Sequence, residues 1–389
     1  MKICHAFIFF SVRFAGGTSD LMYKICKAQE RVGLKPVVYS GDYHFDFELA
    51  GYLKGTQFEV TPSKLDKEGF SIMLDLPALA ERQVPTFSVV HMHSLRTYQN
   101  VVLYKKCIKY GIPYIVDAHG AVPYYTRKKL LKRLFDRLWG RKILRDAGVI
   151  IAETEVGVQE YLEIDPDLDC DKIKILSPPF DTDEYLTLPE FGAFREKFSI
   201  EKTEKIVSFL GRIHHIKGND FLIKGFARLL ERRNDVRLVL IGSDDGHQKE
   251  CEQLALDLGV ADKVFFPGFI AGKEKISALV DSDIVVQMSR HEQGAWAPIE
   301  AVLCNTPIIV TRHTGAGEDV ARMDAGYLVK FDDIDGLADQ IDWVLNHQEE
   351  AQIKTVKART HVLEKLSMNT RINEYTELYE LAKKNMVKK

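Results

Sequence analysis

Several features that would each point to a function are missing from this sequence. Its six cysteines (Cys4, Cys26, Cys107, Cys170, Cys251 and Cys304) form no CxxC pair. That removes a zinc ribbon and a dithiol redox site, and it fits a reduced, cytoplasmic protein. No GxGxxG is present, which counts against a dinucleotide-dependent dehydrogenase, and no GxxxxGK[ST] marks a P-loop. No apolar run approaches the length of a membrane span. The apolar start, Met1 to Phe10, is brief, is broken by His5 and is followed by a Gly-rich turn. It therefore reads as a first strand and not as a signal core. Charge of one sign is lacking too. The net charge of −3 over 389 residues gives no global pull toward nucleic acid. There is no short-period repeat and no low-complexity tract.

What the sequence does have is alternation. With 46% hydrophobic residues, the chain suits two domains of ordinary size. Buried strands are expected at 3–10, 35–40, 89–92, 114–116 and 148–152, separated by helical segments. The stretch 165–190 is turn-rich and carries Pro166, Pro178, Pro179 and Pro189, which marks a domain boundary. A second series follows, with strands at 206–210, 236–241, 264–266, 284–287 and 308–310 and helices at 218–232 and 247–258. The expectation is an α/β chain of two Rossmann-like, doubly wound domains, 1–185 and 190–367, facing across a cleft. Ligands of such sheets bind at the carboxyl ends of the strands.

The candidate residues fall at those ends. Arg290-His291-Glu292-Gln293-Gly294-Ala295-Trp296-Ala297-Pro298-Ile299-Glu300 joins a strand to a helix. Pro298 is expected at the first helical position, with the free N–H groups of that helix end favouring a phosphate. Glu292 ahead of the helix and Glu300 in its first turn suit the hydroxyls of one ligand, although a dipole-complementing Glu300 and a solvated Glu292 would look the same. Gly211-Arg212-Ile213-His214-His215-Ile216-Lys217-Gly218 holds two cations in a Gly-bounded loop. A diphosphate needs such a loop, although a merely solvated basic loop would look the same. Gly16 and Gly17 permit close approach of backbone to a ligand, or simply a tight turn. His119, in Asp117-Ala118-His119-Gly120, stands where it could bond a substrate hydroxyl or serve structure. His91 and His93 share a strand face. A metal there needs a third ligand that the spacing does not suggest, so packing is the better reading. The aspartates of 165–171 lack the Gly and Glu of a calcium loop.

Arg212, Lys217, Glu292 and Glu300, in this order on the second of two α/β domains, resemble the retaining glycosyltransferase family 4 of GT-B fold. The resemblance covers nearly the whole chain and is strongest over 206–330. It implies that Arg212 and Lys217 neutralise a nucleotide diphosphate leaving group and that Glu300 binds the ribose hydroxyls. Glu292, with Gly294, Ala295 and Trp296, would face the donor sugar, and the helix end at Ala297 would meet a phosphate. Phe269 and Ile270, after Gly268, match the loop whose backbone reads the base. His119 would lie near the donor sugar, and Gly16 and Gly17 near the phosphate. The resemblance also implies that a helix at about 368–389 packs back on the first domain. The chain departs from the family pattern where Gly294-Ala295-Trp296 replaces the usual Phe-Gly, where Pro178-Pro179 replaces Asn-Gly, and at Asn305, where Gly is common.

The expected activity is retaining transfer from a UDP- or GDP-linked nucleotide-sugar to a hydroxyl of a sugar or lipid-linked acceptor. No cofactor and no metal are expected to take part, since fixed cations occupy that role. Asp-x-Asp pairs such as Asp281 and Asp283 then read as structural. The alternatives are an epimerase or hydrolase on the same fold, and a non-catalytic nucleotide-sugar-binding protein. Residues 127–139 give an amphipathic helix. Leu130, Leu131, Leu134, Phe135, Leu138 and Trp139 are expected on one side and Lys128, Lys129, Lys132, Arg133 and Arg137 on the other. That pattern suits an anionic membrane surface or a helix packed on the sheet, so peripheral attachment at the cytoplasmic membrane face is expected.

Overall fold

The computed structural model describes residues 1–11, 17–65, 71–123 and 129–387. Its contacts divide the chain into Met1–Pro179 with Met368–Lys389, and Phe180–Ser367. The division falls within the turn-rich 165–190, slightly ahead of the expected 185–190, because Phe180 and Tyr185 are buried in the second unit's core.

The strands of the first unit are β1 (Lys2–Ala6), β2 (Lys35–Gly41), β3 (Gln57–Thr61), β4 (Ser63–Leu65), β5 (Ser71–Met73), β6 (Val89–His93), β7 (Tyr114–Asp117), β8 (Val149–Ala152) and β9 (Ile173–Ile175). Seven of them form one sheet in the order β3-β2-β1-β6-β7-β8-β9, and every neighbouring pair in it is parallel. β4 and β5 make a separate antiparallel pair. The central strands are buried on both faces and read as near-continuous apolar runs. The exceptions include His5 on β1, His91 and His93 on β6 and Asp117 on β7, all buried. The strand expected at 3–10 stops at Ala6. Beyond it, Phe7 and Phe10 join a core cluster with Met22, Phe45 and Leu53.

The helix Met368–Val387 belongs to this unit. Its Tyr375 and Tyr379 are fully buried, and Asn385 Nδ2 donates to the Gly148 carbonyl at 2.8 Å. The approach requires a glycine, because a Cβ on Gly148 would meet the backbone of Ala382.

The second unit holds β10 (Lys205–Leu210), β11 (Val236–Ile241), β12 (Val264–Gly268), β13 (Ile284–Gln287), β14 (Ile308–Thr311) and β15 (Tyr327–Val329). They form a parallel sheet in the order β12-β11-β10-β13-β14-β15. That is a doubly wound order whose direction reverses between β10 and β13, the point where such sheets bind ligands. Asp281 and Asp283 are engaged inside this unit. Buried Asp281 accepts from the N–H groups of Gly192, Phe194 and Arg195 at 2.6, 2.8 and 2.9 Å. Asp283 accepts from Arg195 Nη2, Lys205 Nζ and the Ile206 N–H at 3.0, 3.0 and 2.8 Å.

Candidate active site

In the second unit the two loops that follow β10 and β13 are stitched together at the reversal point. After β10 the chain makes a short 3₁₀ turn, His215–Lys217, then Gly218 at φ 67°, then the helix Asn219–Leu230. Gly218 is required twice over. Its backbone is left-handed, and a Cβ would overlap the Met288 carbonyl at the end of β13. The neighbouring loop answers with its own bonds. The Arg290 N–H donates to Ile216 O at 2.8 Å, and its guanidinium takes both oxygens of Asp220 at 2.7 and 2.6 Å. The paired guanidinium holds the Asp220 carboxyl below its usual range even though burial pushes the other way.

This stitching brings Lys217 onto Glu292. The ammonium donates to both carboxylate oxygens, at 2.6 and 2.8 Å. Gln287 Nε2 at the end of β13 adds a third bond at 3.0 Å. Both side chains of the pair are mostly buried, at 18% and 13% exposure, so the pair is shielded more than a surface bridge would be. Arg212 does not join it. Its guanidinium is exposed and pairs with Asp245.

Glu300 has partners that the sequence did not show. Its Oε1 accepts from the Tyr185 hydroxyl at 3.1 Å and from Lys275 Nζ at 2.6 Å. Burial and the adjacent carboxylate raise the Tyr185 phenol far above its ordinary range, so it stays a donor. The helix begins at Trp296, so Pro298 stands at its third residue instead of its first, and Glu300 lies in the second turn. The proline still costs no bond there, since the first four N–H groups of a helix have no intrahelical acceptor. Gly294 and Ala295 are buried and Trp296 and Ala297 half-buried. The Ala295 N–H is held by Asp319 Oδ2 at 3.2 Å. Asp319 lies on the helix Gly315–Met323, which Thr314 caps by accepting from the Gly317 N–H at 3.1 Å. At the end of β12, Gly268 is left-handed at φ 82°. Phe269 is exposed, while the Ile270 side chain is committed to the core. Only the backbone of Ile270 is left for a ligand.

The first unit carries the remaining candidates. Gly16 lies outside the described residues. Gly17 opens the helix Gly17–Arg31, with nothing near the position of a Cβ. His119 follows β7 in a turn closed by the Ala121 N–H on Ala118 O at 3.0 Å, with His119 at φ 46°. Its side chain is 6% exposed, with both ring nitrogens facing protein groups. Nε2 lies 2.8 Å from His93 Nδ1, and Nδ1 lies 3.2 Å from Asp117 and 3.8 Å from Glu153. Burial opposes a charge on His119, but Asp117 and Glu153 outweigh it and raise its pKa. Burial pushes the Asp117 carboxyl up to about 6. It brings His5 down to about 4 and holds His91 and His93 well below the ordinary histidine value.

Strand pairing supplies the third histidine that spacing could not suggest. His5 of β1 stands opposite His91 of β6, and ring nitrogens of His5, His91 and His93 lie within 4.8 Å of one another. As a metal site the set fits poorly. His5 Nδ1 already meets His93 Nε2 at 3.0 Å, His5 Nε2 meets Gln29 at 2.9 Å, and His91 Nδ1 meets Tyr379 at 3.2 Å. Among the ring nitrogens of these three, only His91 Nε2 is without a hydrogen-bond partner.

The segment expected as an amphipathic helix is built differently from its pattern. Arg127 and Lys128 lie outside the described residues. Lys129–Phe135 is α-helical, Asp136–Gly140 a π turn and Arg141–Asp146 α-helical again. Leu130, Leu131, Leu134 and Leu138 face solvent at 80, 58, 53 and 51% exposure. The anchored side mixes polar and apolar groups. Buried Asp136 takes the Arg96 guanidinium at 3.0, 3.1 and 2.7 Å, and Lys132 Nζ donates to Pro123 O at 2.8 Å. Trp139 leaves the leucines and packs on the first unit's core. The extra residue of the π turn shifts the register that an unbroken helix would keep.

Two parallel, doubly wound units in tandem, the second with paired cations and glutamates at its strand ends, define a GT-B glycosyltransferase architecture. The comparisons agree. The family model "Glycosyl transferases group 1" matches residues 190–361, and "Glycosyltransferase Family 4" matches residues 15–184. The chain belongs to glycosyltransferase family 4. An uncharacterized glycosyltransferase of Methanocaldococcus jannaschii is 30% identical over 56% of this chain and 56% of its own length. Mannosylfructose-phosphate synthase of Agrobacterium fabrum is 31% identical over 44% of this chain and 39% of its own. The chain thus spans about half the length of the curated relatives it matches. Among solved structures, Anabaena HepE in complex with UDP and glucose has a TM-score of 0.78 at 18% identity, covering 97% of this chain and 99% of that one. A glycosyltransferase from Rickettsia africae has a TM-score of 0.79 at 20% identity, covering 99% of both chains.

Proposed function

We propose that this protein moves a sugar from a nucleotide-sugar, UDP- or GDP-linked, to a hydroxyl acceptor with retention at the anomeric carbon. The observation that carries the reading is the Lys217–Glu292 pair, held at the reversal point of the second sheet. A mostly buried cation there can take the negative charge that grows on a departing diphosphate, and Arg212 can swing to it from the exposed pair with Asp245. Glu300, whose Oε1 accepts from Tyr185 and Lys275, is the carboxylate that would take the ribose hydroxyls. Glu292 faces the sugar, with Gly294, Ala295, Trp296 and Ala297 beside it, and the backbone at Phe269 and Ile270 reads the base. A same-face displacement, with a donor phosphate oxygen taking the acceptor proton, needs no carboxylate nucleophile and no metal. The solved complexes of HepE with UDP and UDP-glucose favour a uridine donor among the candidates.

A thermal-shift screen against nucleotide-sugars and free nucleoside diphosphates in excess EDTA tests this. Binding to the native state raises the melting temperature, and UDP-linked donors are expected to give the largest rise, undiminished by the chelator. The test continues by calorimetry. Glu300→Ala is expected to weaken nucleoside diphosphate binding, whereas Glu292→Ala spares it and weakens the sugar-bearing donor. A flat screen, or rises that vanish in EDTA, would overturn the site as drawn.

For the acceptor, the outward leucines support a lipid-linked or amphiphilic molecule at an anionic membrane surface. Leu130, Leu131, Leu134 and Leu138 with Lys129, Arg133 and Arg137 offer apolar insertion beside headgroup charge. Changing the four leucines to Ser is expected to abolish flotation with anionic vesicles at low salt. It should leave the melting temperature within a degree or so, since exposed side chains contribute little to folding. A wild-type protein that never floats would assign a soluble acceptor.

A further inference from the structure

His5, His93 and His119 of the first unit are joined end to end, and the orientation of Gln29 at the head of the series gives it a direction. A carboxamide oxygen accepts and never donates. Gln29 turns its oxygen to His5 Nε2 at 2.9 Å and its amide nitrogen to the Tyr379 hydroxyl at 3.1 Å. With its carboxamide turned this way, Gln29 sets the His5 proton on Nε2 and leaves Nδ1 as an acceptor. His93 Nε2, 3.0 Å away, donates to it. His93 Nδ1 is then an acceptor in turn, and His119 Nε2 donates to it at 2.8 Å. The direction of the first bond thus fixes the proton on each ring down to His119. On the other arm the Tyr379 hydroxyl accepts from Gln29 and passes its own proton to His91 Nδ1 at 3.2 Å. His91 Nε2–H then points toward Asp117 Oδ2, 3.9 Å away. The circuit runs from His119 through Tyr379 of the helix Met368–Val387 and back to Asp117 at the end of β7.

We propose that Gln29, His5 and His93 form a directed hydrogen-bond chain that fixes the tautomer and ring orientation of His119, with Tyr379 of the C-terminal helix as its far anchor. Donation from Nε2 leaves Nδ1 of His119 facing Asp117 and Glu153, so the ring is held doubly protonated between two carboxylates at the carboxyl end of β7. The groups around it are Asp117 on its own strand, Glu153 after β8, His91 and His93 of β6, His5 of β1, and the Tyr161 and Tyr375 phenols beside the carboxylates. Tyr161 also braces the turn, taking the Ala118 N–H at 3.1 Å while donating to Ile151 O at 2.9 Å. Gln29, His5, His93 and Tyr379 are positioning residues, each acting on the site through His119. Their effect on turnover rests on the transferase reading, but the proton positions do not.

The test begins without activity. In the full chain labelled with ¹⁵N-histidine, long-range ¹H–¹⁵N correlation spectra report which ring nitrogen carries a proton. His5 and His93 are expected as Nε2–H tautomers and His119 as doubly protonated at neutral pH, with signals assigned by single His→Gln variants. Gln29→Leu should leave His5 as a mixture of tautomers. Tyr379→Phe, which keeps the ring in its packing, should do the same to His91. Protons on Nδ1 of His5 and His93, a neutral His119, or stoichiometric metal in the purified protein would each overturn the proposal. The second arm is turnover. Gln29→Leu and Tyr379→Phe are expected to lower kcat about tenfold with donor KM nearly unchanged. They should also move the alkaline limb of the kcat profile down by about one pH unit, as His119 releases its proton more easily. A loss of thermal stability with no shift of that limb would refute the positioning role. Tautomers as assigned in a chain with no transferase activity would uphold the circuit and remove the proposed function instead.

Discussion

Lys217→Ala is expected to cut turnover on the order of a hundredfold or more, equivalent to about 2.7 kcal/mol of lost transition-state stabilisation. Two effects act in the same direction. The ammonium that would meet the growing diphosphate charge is removed. Glu292, only 13% exposed, then loses the cation that bonds both of its oxygens, and an uncompensated carboxylate is left where an anion must form. Arg212→Ala should approach the same loss in rate without the second effect, because its guanidinium is exposed and its partner Asp245 is solvated. The two variants therefore separate in ligand-free stability, with Lys217→Ala the less stable. Steady-state rates on the donor identified by the binding screen, with thermal melts in parallel, decide the matter. Near wild-type turnover in both variants would dismantle the site assignment.

The largest effect on folding is expected at Asp281. Asp281→Ala should destabilise the second unit by about 3–5 kcal/mol, the range for stripping a buried carboxylate from its donors. The side chain is fully buried and receives three backbone N–H groups from Gly192, Phe194 and Arg195. Its own carbonyl accepts from Arg195 Nη2 at 2.9 Å. Alanine would leave those N–H groups buried with no acceptor. Asp281→Asn keeps one acceptor oxygen and should fall between the two. Denaturant unfolding followed by hydrogen exchange in each unit measures it, since two units need not melt as one. An Asp281→Ala protein as stable as wild type would show that water satisfies the 192–195 turn unaided.

The parallel strands could be read from the sequence because burial on both faces makes them plain apolar runs. β3 escaped that reading. Gln57 and Glu59 alternate with Phe58 and Val60 along a half-exposed edge, so no continuous run marks it. Glu292 and Glu300 could be seen because they share one short stretch, and Arg212 and Lys217 for the same reason. That Lys217 lands on Glu292 while Arg212 does not depends on loop geometry across 75 residues. Lys275 and Tyr185 carried no local mark at all, and neither did His5, whose partnership with His93 spans 88 residues. The leucines of 130–138 show another limit. Periodicity tells which residues share a side but not which line faces in, and here Lys132, Asp136 and Trp139 turn inward, with Asp136 on the buried Arg96, while the leucines and Lys129, Arg133 and Arg137 all face solvent.

The return of the helix Met368–Val387 to the first unit sets an order on the making of the molecule. A ribosome releases the chain from its N-terminus, and domains tend to fold as they emerge. The second unit is one unbroken segment, Phe180–Ser367, whose two ends meet where the Phe180 N–H donates to Leu366 O at 2.9 Å. It can close before the helix Met368–Val387 has docked. The first unit, begun earlier, must wait with its buried histidines lacking Tyr379 and with Gly148 uncovered. The half that is translated first is the half that is finished last, so a stall or truncation ahead of Met368–Val387 harms the oldest part of the nascent protein.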